Sequence, residues 1–165
     1  MFRDFWAITA GALDALMVAF RKDAASGKSI DTRDPEKISF TVTDGIAIIP
    51  VLDALSKDYG YTSLWSGRVR SGYKGIREDM DMALGNGNVK AILLRIDSPG
   101  GTVDGCKELA DFLSTAGQAK PIYAYVDGQA TSAAYWIAST AKHIAAPETA
   151  TLGSIGVRTL HADIS

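Results

Sequence analysis

A serine at the start of a helical pattern is the side chain best suited to chemistry in this chain. Ser132 follows a strand-like run and opens residues 132–142, whose apolar residues have helical spacing. A serine hydroxyl is a nucleophile when a base and donors for an oxyanion lie beside it. The N–H of Ala133, in the first turn of such a helix, is one such donor. Capping a helix N-terminus is nevertheless the commonest role of serine there, so this segment alone leaves both roles open.

Two adjacent glycines form the second group with chemical potential. Residues 97–101 read Asp-Ser-Pro-Gly-Gly and follow an apolar strand pattern. Because glycine adopts backbone angles closed to other residues, the N–H groups of Gly100 and Gly101 can point into a cleft and hold an oxyanion. An ordinary strand-to-helix turn is the alternative interpretation. The motif is not a phosphate-binding loop, since no Gly-Lys-Ser or Gly-Lys-Thr follows it.

Alternating strand and helix patterns predict the sheet that positions these two turns. Strands that are apolar on both faces and separated by helices form parallel sheets with right-handed crossovers. Both turns then fall at the carboxyl ends of strands, the edge at which ligands bind in such sheets. The predicted strands are residues 89–96, 121–126 and 143–146, and the predicted helices are residues 76–84, 103–116 and 132–142.

The N-terminal part predicts a helix, a linker and a hairpin. Helical spacing of apolar residues between residues 5 and 20 indicates an amphipathic helix that packs on the body or on a partner. Residues 21–36 are polar and contain turn-forming residues, as linkers do. Asp44-Gly45, between the β-rich runs 37–42 and 46–51, predicts a tight hairpin. The shared helix face carries Ala12, Leu13, Leu16, Met17 and Phe20.

Two further segments are expected to border the site. Residues 52–75 form a long stretch rich in glycine and serine, which in a compact domain is functional or disordered. Its candidate contacts for a substrate are Tyr59, Tyr61 and Trp65. Residues 151–157 predict a turn, in which Ser154 either supports the site by a hydrogen bond or only caps the turn.

The composition narrows the class of protein. With 165 residues and a formal net charge of −2, the chain lacks the basic balance typical of nucleic-acid-binding domains. The lone Cys106 lies in an amphipathic run and is predicted to be buried packing. Asp4 and Asp14 interrupt the N-terminal apolar run, which is also short for a membrane span and is followed by no cleavage site. We therefore expect a cytoplasmic protein without a signal peptide and do not expect a membrane partner.

Three motifs in register carry a resemblance to a known family. They are Ile-Asp-Ser-Pro-Gly-Gly at residues 96–101, Ser-Ala-Ala-Tyr-Trp-Ile-Ala at 132–138 and Gly-Ser-Ile-Gly-Val at 153–157. Their order and spacing resemble the signal peptide peptidase A family of serine peptidases, and most of all its phage and prophage capsid (head maturation) proteases. The resemblance implies a Clp-protease/crotonase fold of repeated ββα units over residues 37–165. Residues 1–36 would be a separate helix and linker, with Trp-Ala-Ile at 6–8 also similar to the capsid branch.

The resemblance also implies the roles of individual residues. It implies that Ser132 is the nucleophile, and that the N–H groups of Gly101 and Ala133 form the oxyanion hole. The turn of Gly100 and the motif of Gly153 and Ser154 would line the substrate groove. The family uses neither a cofactor nor a metal, and none is expected here.

The resemblance assigns the general base to no residue of this sequence. The family uses a lysine that follows the Gly-Ser-Ile-Gly-Val motif by some tens of residues, whereas no lysine follows Gly156 here. We therefore expect the lysine beyond Ser165 and expect the 165 residues alone to be inactive. Lys142 and His143 are predicted at the far end of the serine helix, away from the nucleophile. His161 could approach the site, and a neighbouring subunit could present Lys74, but the default role of each of these residues is a solvated surface group.

The function implied by the resemblance is a Ser/Lys endopeptidase that cleaves capsid, scaffold or portal proteins during phage head maturation. It would work as a homo-oligomer in the host cytoplasm or in the assembling prohead. The leading alternative is a catalytically silent structural or scaffolding module of a phage head. Acyl-CoA chemistry uses similar oxyanion holes but needs an acidic catalytic residue and a nucleotide site, and digestion of signal peptides at a membrane is disfavoured by the poor N-terminal anchor.

Overall fold

A computed structural model describes residues 6–8, 40–58 and 72–157 of the protein. Within these ranges the chain forms eight strands and three helices. In chain order they are β1 (Trp6–Ile8), β2 (Thr41–Thr43), β3 (Ile46–Leu52), α1 (Tyr73–Gly85), β4 (Ala91–Ser98), β5 (Gly100–Thr102), α2 (Cys106–Ala119), β6 (Ile122–Thr131), α3 (Ala133–Ala138), β7 (His143–Ala145) and β8 (Thr151–Gly153).

A six-stranded sheet forms the centre of the described structure. Its strands lie in the order β2-β3-β4-β6-β7, and β8 also pairs with β6. β2 is antiparallel to β3, whereas the other four pairings are parallel. The predicted α/β class with a mainly parallel sheet is therefore confirmed. β1 and β5 form a separate antiparallel pair.

The predicted hairpin between β2 and β3 is confirmed by its turn. Asp44 has a φ of 51° and Gly45 a φ of 79°, so both central residues are left-handed. This is the type I′ geometry, whose twist matches that of the paired strands and which Asp-Gly favours. The turn fixes the antiparallel register in which Thr43 pairs with Ile46.

The core lies between the sheet and one apolar face of each helix. The central strands are buried at alternate residues, because successive side chains point to opposite faces. Spacing of three or four residues along α1 and α2 places their apolar residues on one face of each helix. Fully or almost fully buried residues are Ala47, Ile49 and Val51 on β3, Ile92, Leu94 and Ile96 on β4, Ile76, Met80 and Ala83 on α1, and Leu109 and Leu113 on α2.

The strand and helix that flank Ser132 differ in length from the predicted ones. β6 runs to Thr131, beyond the predicted end at residue 126, because residues 129–131 pair with β8. Because this extension contains polar residues, its hydropathy pattern does not indicate a strand. α3 ends at Ala138 rather than at residue 142. There the hydroxyls of Ser139 and Thr140 donate to the carbonyls of Trp136 and Ile137 and offer the backbone an alternative to further helix.

Other boundaries move for local reasons. α1 begins at Tyr73, three residues before the predicted start, and α2 begins at Cys106, because Gly105 has a φ of 89° and cannot belong to the helix. Residues 6–8 form a strand, within the range in which the helix was expected. The predicted helix face at residues 12–20, the linker, and Tyr59, Tyr61 and Trp65 lie outside the described residues. In the described part of the chain, no helix has the length and apolarity to cross a membrane.

Lys120 provides a test of how the crossover between α1 and β4 is held. Its Nζ donates to the carbonyls of Ala83 (2.9 Å) and Asn86 (2.7 Å) at the C-terminus of α1. Hydrogen bonds from a charged donor to carbonyls at a helix C-terminus stabilise that helix end. We expect Lys120→Met to lower the free energy of unfolding by about 1–2 kcal/mol, measured by urea denaturation. Lys142→Met, at an exposed lysine, is the matched control, and an equal loss in both variants would contradict the assignment.

Candidate active site

Ser132 has a strained backbone at the junction of β6 and α3. Its φ is 56° and its ψ is −119°, a sparsely populated region for a residue with a side chain. Such a conformation costs about 1–3 kcal/mol and persists only where neighbouring groups enforce it. Here the Ser132 N–H donates to the carbonyl of Gly153 at 2.7 Å, and its carbonyl accepts from the N–H of Trp136 at 3.0 Å. Hydrogen bonds on both sides therefore hold the strain in place.

The side chain of Ser132 does not cap the helix that it precedes. No hydrogen bond runs from its hydroxyl to the N–H groups of α3. The Oγ instead donates to the carbonyl of Gly156 at 3.2 Å, and the residue is 7% exposed. The interpretation of Ser132 as a capping residue is therefore wrong. A strained serine whose hydroxyl is turned away from its own helix needs another explanation.

The segment after β7 supplies the carbonyls that hold Ser132. β8 pairs in parallel with the end of β6, with Thr131 opposite Gly153. Gly153 (φ 109°), Ser154 (φ 51°) and Gly156 (φ 152°) all have positive φ, which turns the chain sharply back past Ser132. The Ser154 hydroxyl was one candidate for a supporting hydrogen bond in this motif, with a turn cap as the alternative, whereas both bonds from Ser132 go to glycine carbonyls. No side-chain pattern marks a carbonyl, so the role of Gly156 was missed.

The glycine pair is a short strand rather than a bare turn. The carbonyl of Gly100 accepts from the N–H of Leu55 at 2.8 Å, and the N–H of Thr102 donates to the carbonyl of Leu55 at 3.0 Å. The contact is so close that a Cβ on Gly101 would lie 2.0 Å from the Leu55 oxygen. Glycine at 101 is therefore required by the approach of another backbone. The Gly100 N–H donates to Ser98 Oγ at 3.2 Å.

The peptide groups of Gly101 face away from Leu55. Successive N–H and C=O groups of a strand alternate between its two sides. Since Gly100 and Thr102 bond to Leu55, the N–H and C=O of Gly101 are directed to the opposite side. That side is taken by β1, which pairs antiparallel with β5 and has Ala7 opposite Gly101. No local sequence pattern indicated the strand character of β5 or this pairing.

The sheet brings the two predicted turns to one edge. Ser98, at the end of β4, pairs with Ala130, two residues before Ser132. α3 packs against β5, and the Cys106 thiol contacts the carbonyl of Ala133 at 3.8 Å. The predicted position of both turns at the carboxyl ends of parallel strands is thus confirmed. Ser132, Ala133, the Gly100–Gly101 strand and the 153–156 segment all lie along this edge.

A register shift between β4 and β6 makes room for Asp97 beneath this edge. Pairing passes from Ile96 opposite Val126 to Ser98 opposite Ala130. A Cβ on Gly128 would lie 2.7 Å from Asp97 Oδ1, so the absence of a side chain at 128 is what lets the carboxylate lie there. Ser98 Oγ in turn donates to the carbonyl of Asp53 at 2.6 Å. These contacts fix where β4 ends and β5 begins.

The other residues considered as bases have partners or positions elsewhere. Lys74 forms an ion pair with Asp58 at 3.6 Å, with both side chains exposed. His143 stacks on Tyr123, with ring centroids 6.2 Å apart, and lies on β7. Lys142 is exposed beyond the C-terminal end of α3, and His161 lies outside the described residues. Among the residues that the structure describes, no cluster of side chains suits a metal ion.

Gly101→Ala tests the close approach of β5 to Leu55. The added methyl group would meet a backbone oxygen, which cannot turn aside as a side chain can, so we expect a loss of about 3 kcal/mol in the free energy of unfolding. Gly117→Ala in α2 is the control, since a Cβ there would lie 3.8 Å from Ile122 Cδ1 in ordinary contact. That variant should gain about 0.5–1 kcal/mol from helix propensity. Chemical denaturation measures both, and a neutral Gly101→Ala would refute the contact.

Cys106 is predicted to be an unreactive thiol. It is fully buried, and burial raises the pKa of the Cys106 thiol to about 11. The thiolate is the reactive form, so at pH 8 we expect alkylation by iodoacetamide at least about 100-fold slower in the folded protein than in urea. Mass spectrometry follows the reaction without ambiguity because the chain contains one cysteine. Rapid labelling of the folded protein at pH 8 would show that the thiol is accessible.

Comparison with known proteins identifies sequence relatives of this chain. Residues 115–165 match the family model of peptidase family S49. The chain is 36% identical over 122 residues to the head-tail preconnector protein GP5 of Enterobacteria phage P21, covering 74% of this chain and 24% of the relative. It is 30% identical over 175 residues to the capsid assembly protease C of Escherichia phage lambda, covering 98% of this chain and 39% of the relative. The chain therefore spans less than half the length of these relatives.

A solved structure shows the same fold at lower sequence similarity. An enoyl-CoA hydratase/isomerase family member superposes with a TM-score of 0.56 and 22% identity, covering 70% of this chain and 49% of that chain. The likeness confirms the predicted crotonase-like fold. The match to the family S49 model and the phage relatives confirm the predicted resemblance of this chain to that family of serine peptidases.

Proposed function

We propose that this chain forms the core of a serine endopeptidase with Ser132 as its nucleophile. The observation that carries the proposal is the strained backbone of Ser132, with its hydroxyl bonded to Gly156 and not to its own helix. Strain that the surroundings enforce at one serine is typical of a nucleophile presented on a sharp strand-to-helix turn. The match of residues 115–165 to the model of peptidase family S49 supports the same role.

The oxyanion hole is proposed to consist of the N–H groups of Gly101 and Ala133. The N–H of Ala133 lies in the first turn of α3, where no earlier carbonyl of the helix can accept it. Gly100 is the less suitable glycine, because its N–H already donates to Ser98 Oγ. The N–H of Gly101 instead lies on the side of β5 that pairs with β1. Two backbone donors at a developing oxyanion are worth several orders of magnitude in rate in acyl transfer.

The base is proposed to be a lysine outside the described residues, as the family resemblance implies. Among the described lysines, Lys57 bonds to Asp104, Lys107 to Asp111, and Lys120 to the end of α1. A lysine must have its pKa lowered by burial before it can accept a proton at neutral pH. We place this lysine beyond residue 165 and expect the 165 residues alone to be inactive.

The reaction then follows from these positions. The Ser132 Oγ–H proton passes to the lysine amine as Oγ bonds to the scissile carbonyl carbon, and the carbonyl electron pair moves to its oxygen. The N–H groups of Gly101 and Ala133 hold that oxyanion. Collapse breaks the C–N bond, and the lysine returns its proton to the leaving amine. Water repeats the sequence on the acyl-enzyme, which releases the new carboxylate and restores Ser132.

The substrate is proposed to be an extended polypeptide from a phage head, either a capsid, scaffold or portal protein. The names of the two phage relatives, a capsid assembly protease and a head-tail preconnector, support this substrate class. Gly100, Gly153 and Ser154 border the proposed groove, where strand addition gives affinity through backbone hydrogen bonds. A homo-oligomer working in the host cytoplasm or the assembling prohead belongs to the same proposal.

Ser132→Ala tests the proposed function. The protein should be produced from the longest open reading frame that contains these 165 residues. Its cleavage of a proteome-derived peptide library should then be measured by mass spectrometry. We expect Ser132→Ala to lower cleavage by at least about 10³-fold, because the variant removes the nucleophile and leaves only the oxyanion hole and substrate binding. Its thermal stability should change little, since the Oγ makes one hydrogen bond.

Ser139→Ala is the matched control for this experiment. Ser139 lies at the other end of α3 and its hydroxyl donates to the carbonyl of Trp136, so its loss should leave cleavage unchanged. Cleavage that survives Ser132→Ala would refute the proposal. A wild-type protein without cleavage that still assembles with head proteins would favour the structural module instead.

A further inference from the structure

We propose that residues 6–8 occupy the edge of β5 on which a polypeptide substrate would lie, so that the chain carries its own occupant of the substrate-binding strand position. This inference rests on the proposed peptidase function and concerns the same site. It assigns a role to β1, the N-terminal strand that is paired with β5 outside the main sheet.

The position of β1 follows from the two sides of β5. One side is bonded to Leu55 through Gly100 and Thr102. The other side carries the peptide groups of Gly101 and is the edge still able to accept a strand. β1 lies along it antiparallel, with Trp6 opposite Thr102, Ala7 opposite Gly101 and Ile8 opposite Gly100. Ala7 therefore forms the pair with the residue whose N–H is the proposed oxyanion donor.

An added substrate strand would need the same groups. Strand addition uses the free N–H and C=O groups of an edge, and any extended polypeptide presents a matching set. A substrate whose scissile carbonyl reaches the Gly101 N–H must lie where Ala7 now lies. The two strands cannot occupy one edge together, so β1 and a substrate exclude each other.

The pairing of β1 with β5 is weak enough for a substrate strand to displace β1. β1 contains three residues, and its described strand partner is β5 alone. Isolated two-stranded pairings of this length are marginal in water. A longer polypeptide that also contacted the 153–156 segment would compete effectively. We therefore expect β1 to lower the affinity for substrate without abolishing access.

A disulfide between the two strands tests the inference. Directly opposite residues have Cβ atoms about 4.5–5.5 Å apart, near disulfide distance, so Trp6→Cys with Thr102→Cys should form a bond on mild oxidation. Ala7→Cys with Thr102→Cys is the matched control, because these residues are out of phase in the register. Buried Cys106 stays in both variants. Non-reducing mass spectrometry should find the bond in the first pair and not in the second.

Binding should then be measured in the Ser132→Ala background, so that the readout does not depend on catalysis. The probe is a fluorescein-labelled peptide with the sequence of residues 4–10, followed by fluorescence anisotropy. We expect the oxidised Trp6→Cys/Thr102→Cys protein to bind it at least tenfold more weakly than the reduced form, with affinity restored by reductant. Equal binding in both forms, or a disulfide that forms equally in the control pair, would overturn the inference.

A second variant covers the case in which the cysteine pair does not fold. Ala7→Pro removes the N–H that Ala7 offers to β5 and should release β1, raising probe affinity at least threefold. Ala10→Pro, outside β1, is its control and should leave affinity unchanged. Unchanged affinity in Ala7→Pro would also refute the inference. Cleavage that survives Ser132→Ala, with these binding results intact, would remove the peptidase proposal alone.

Discussion

The hydrogen bond from the Ser132 N–H to the Gly153 carbonyl, 2.7 Å long, is the interaction on which the candidate site depends. It holds a serine in a backbone conformation that costs free energy, and it exists only because β8 pairs with the extension of β6. The parallel sheet thus does more than form a core. The extension of β6 gives β8 a strand to pair with, and β8 in turn supplies the Gly153 carbonyl that holds Ser132.

A second constraint positions the glycine strand. Leu55 approaches Gly101 so closely that no side chain fits between them, and its two backbone hydrogen bonds set which peptide groups of β5 face inward. The alternation of a strand then turns the remaining groups of β5 toward β1. The chemistry of the edge is therefore decided by backbone geometry. This is consistent with a site whose donors are main-chain N–H groups.

The fold was largely predictable because its signals are local. Asp44-Gly45 specifies a hairpin turn through the φ values that both residues tolerate, and the apolar run of β4 indicates a buried parallel strand. Ser132 and Gly101 were singled out because a serine opens a helical pattern after one strand, two glycines follow another strand, and both motifs carry the family resemblance. The hydrogen-bond partners of Ser132 could not be predicted, because Gly153 and Gly156 act through backbone carbonyls, which every residue has. The pairing of β1 with β5 links distant parts of the chain and leaves no local pattern.

The dependence of Ser132 on a later segment has a consequence for synthesis of the protein. The carbonyl that accepts the Ser132 hydroxyl belongs to a residue 24 positions further along the chain. Until β8 has left the ribosome, the Ser132 N–H lacks the Gly153 carbonyl, and only the bond from Trp136 is available to hold the strained backbone. The site is thus assembled last, after the sheet that supports it, and a nascent chain cannot present a finished nucleophile to its neighbours.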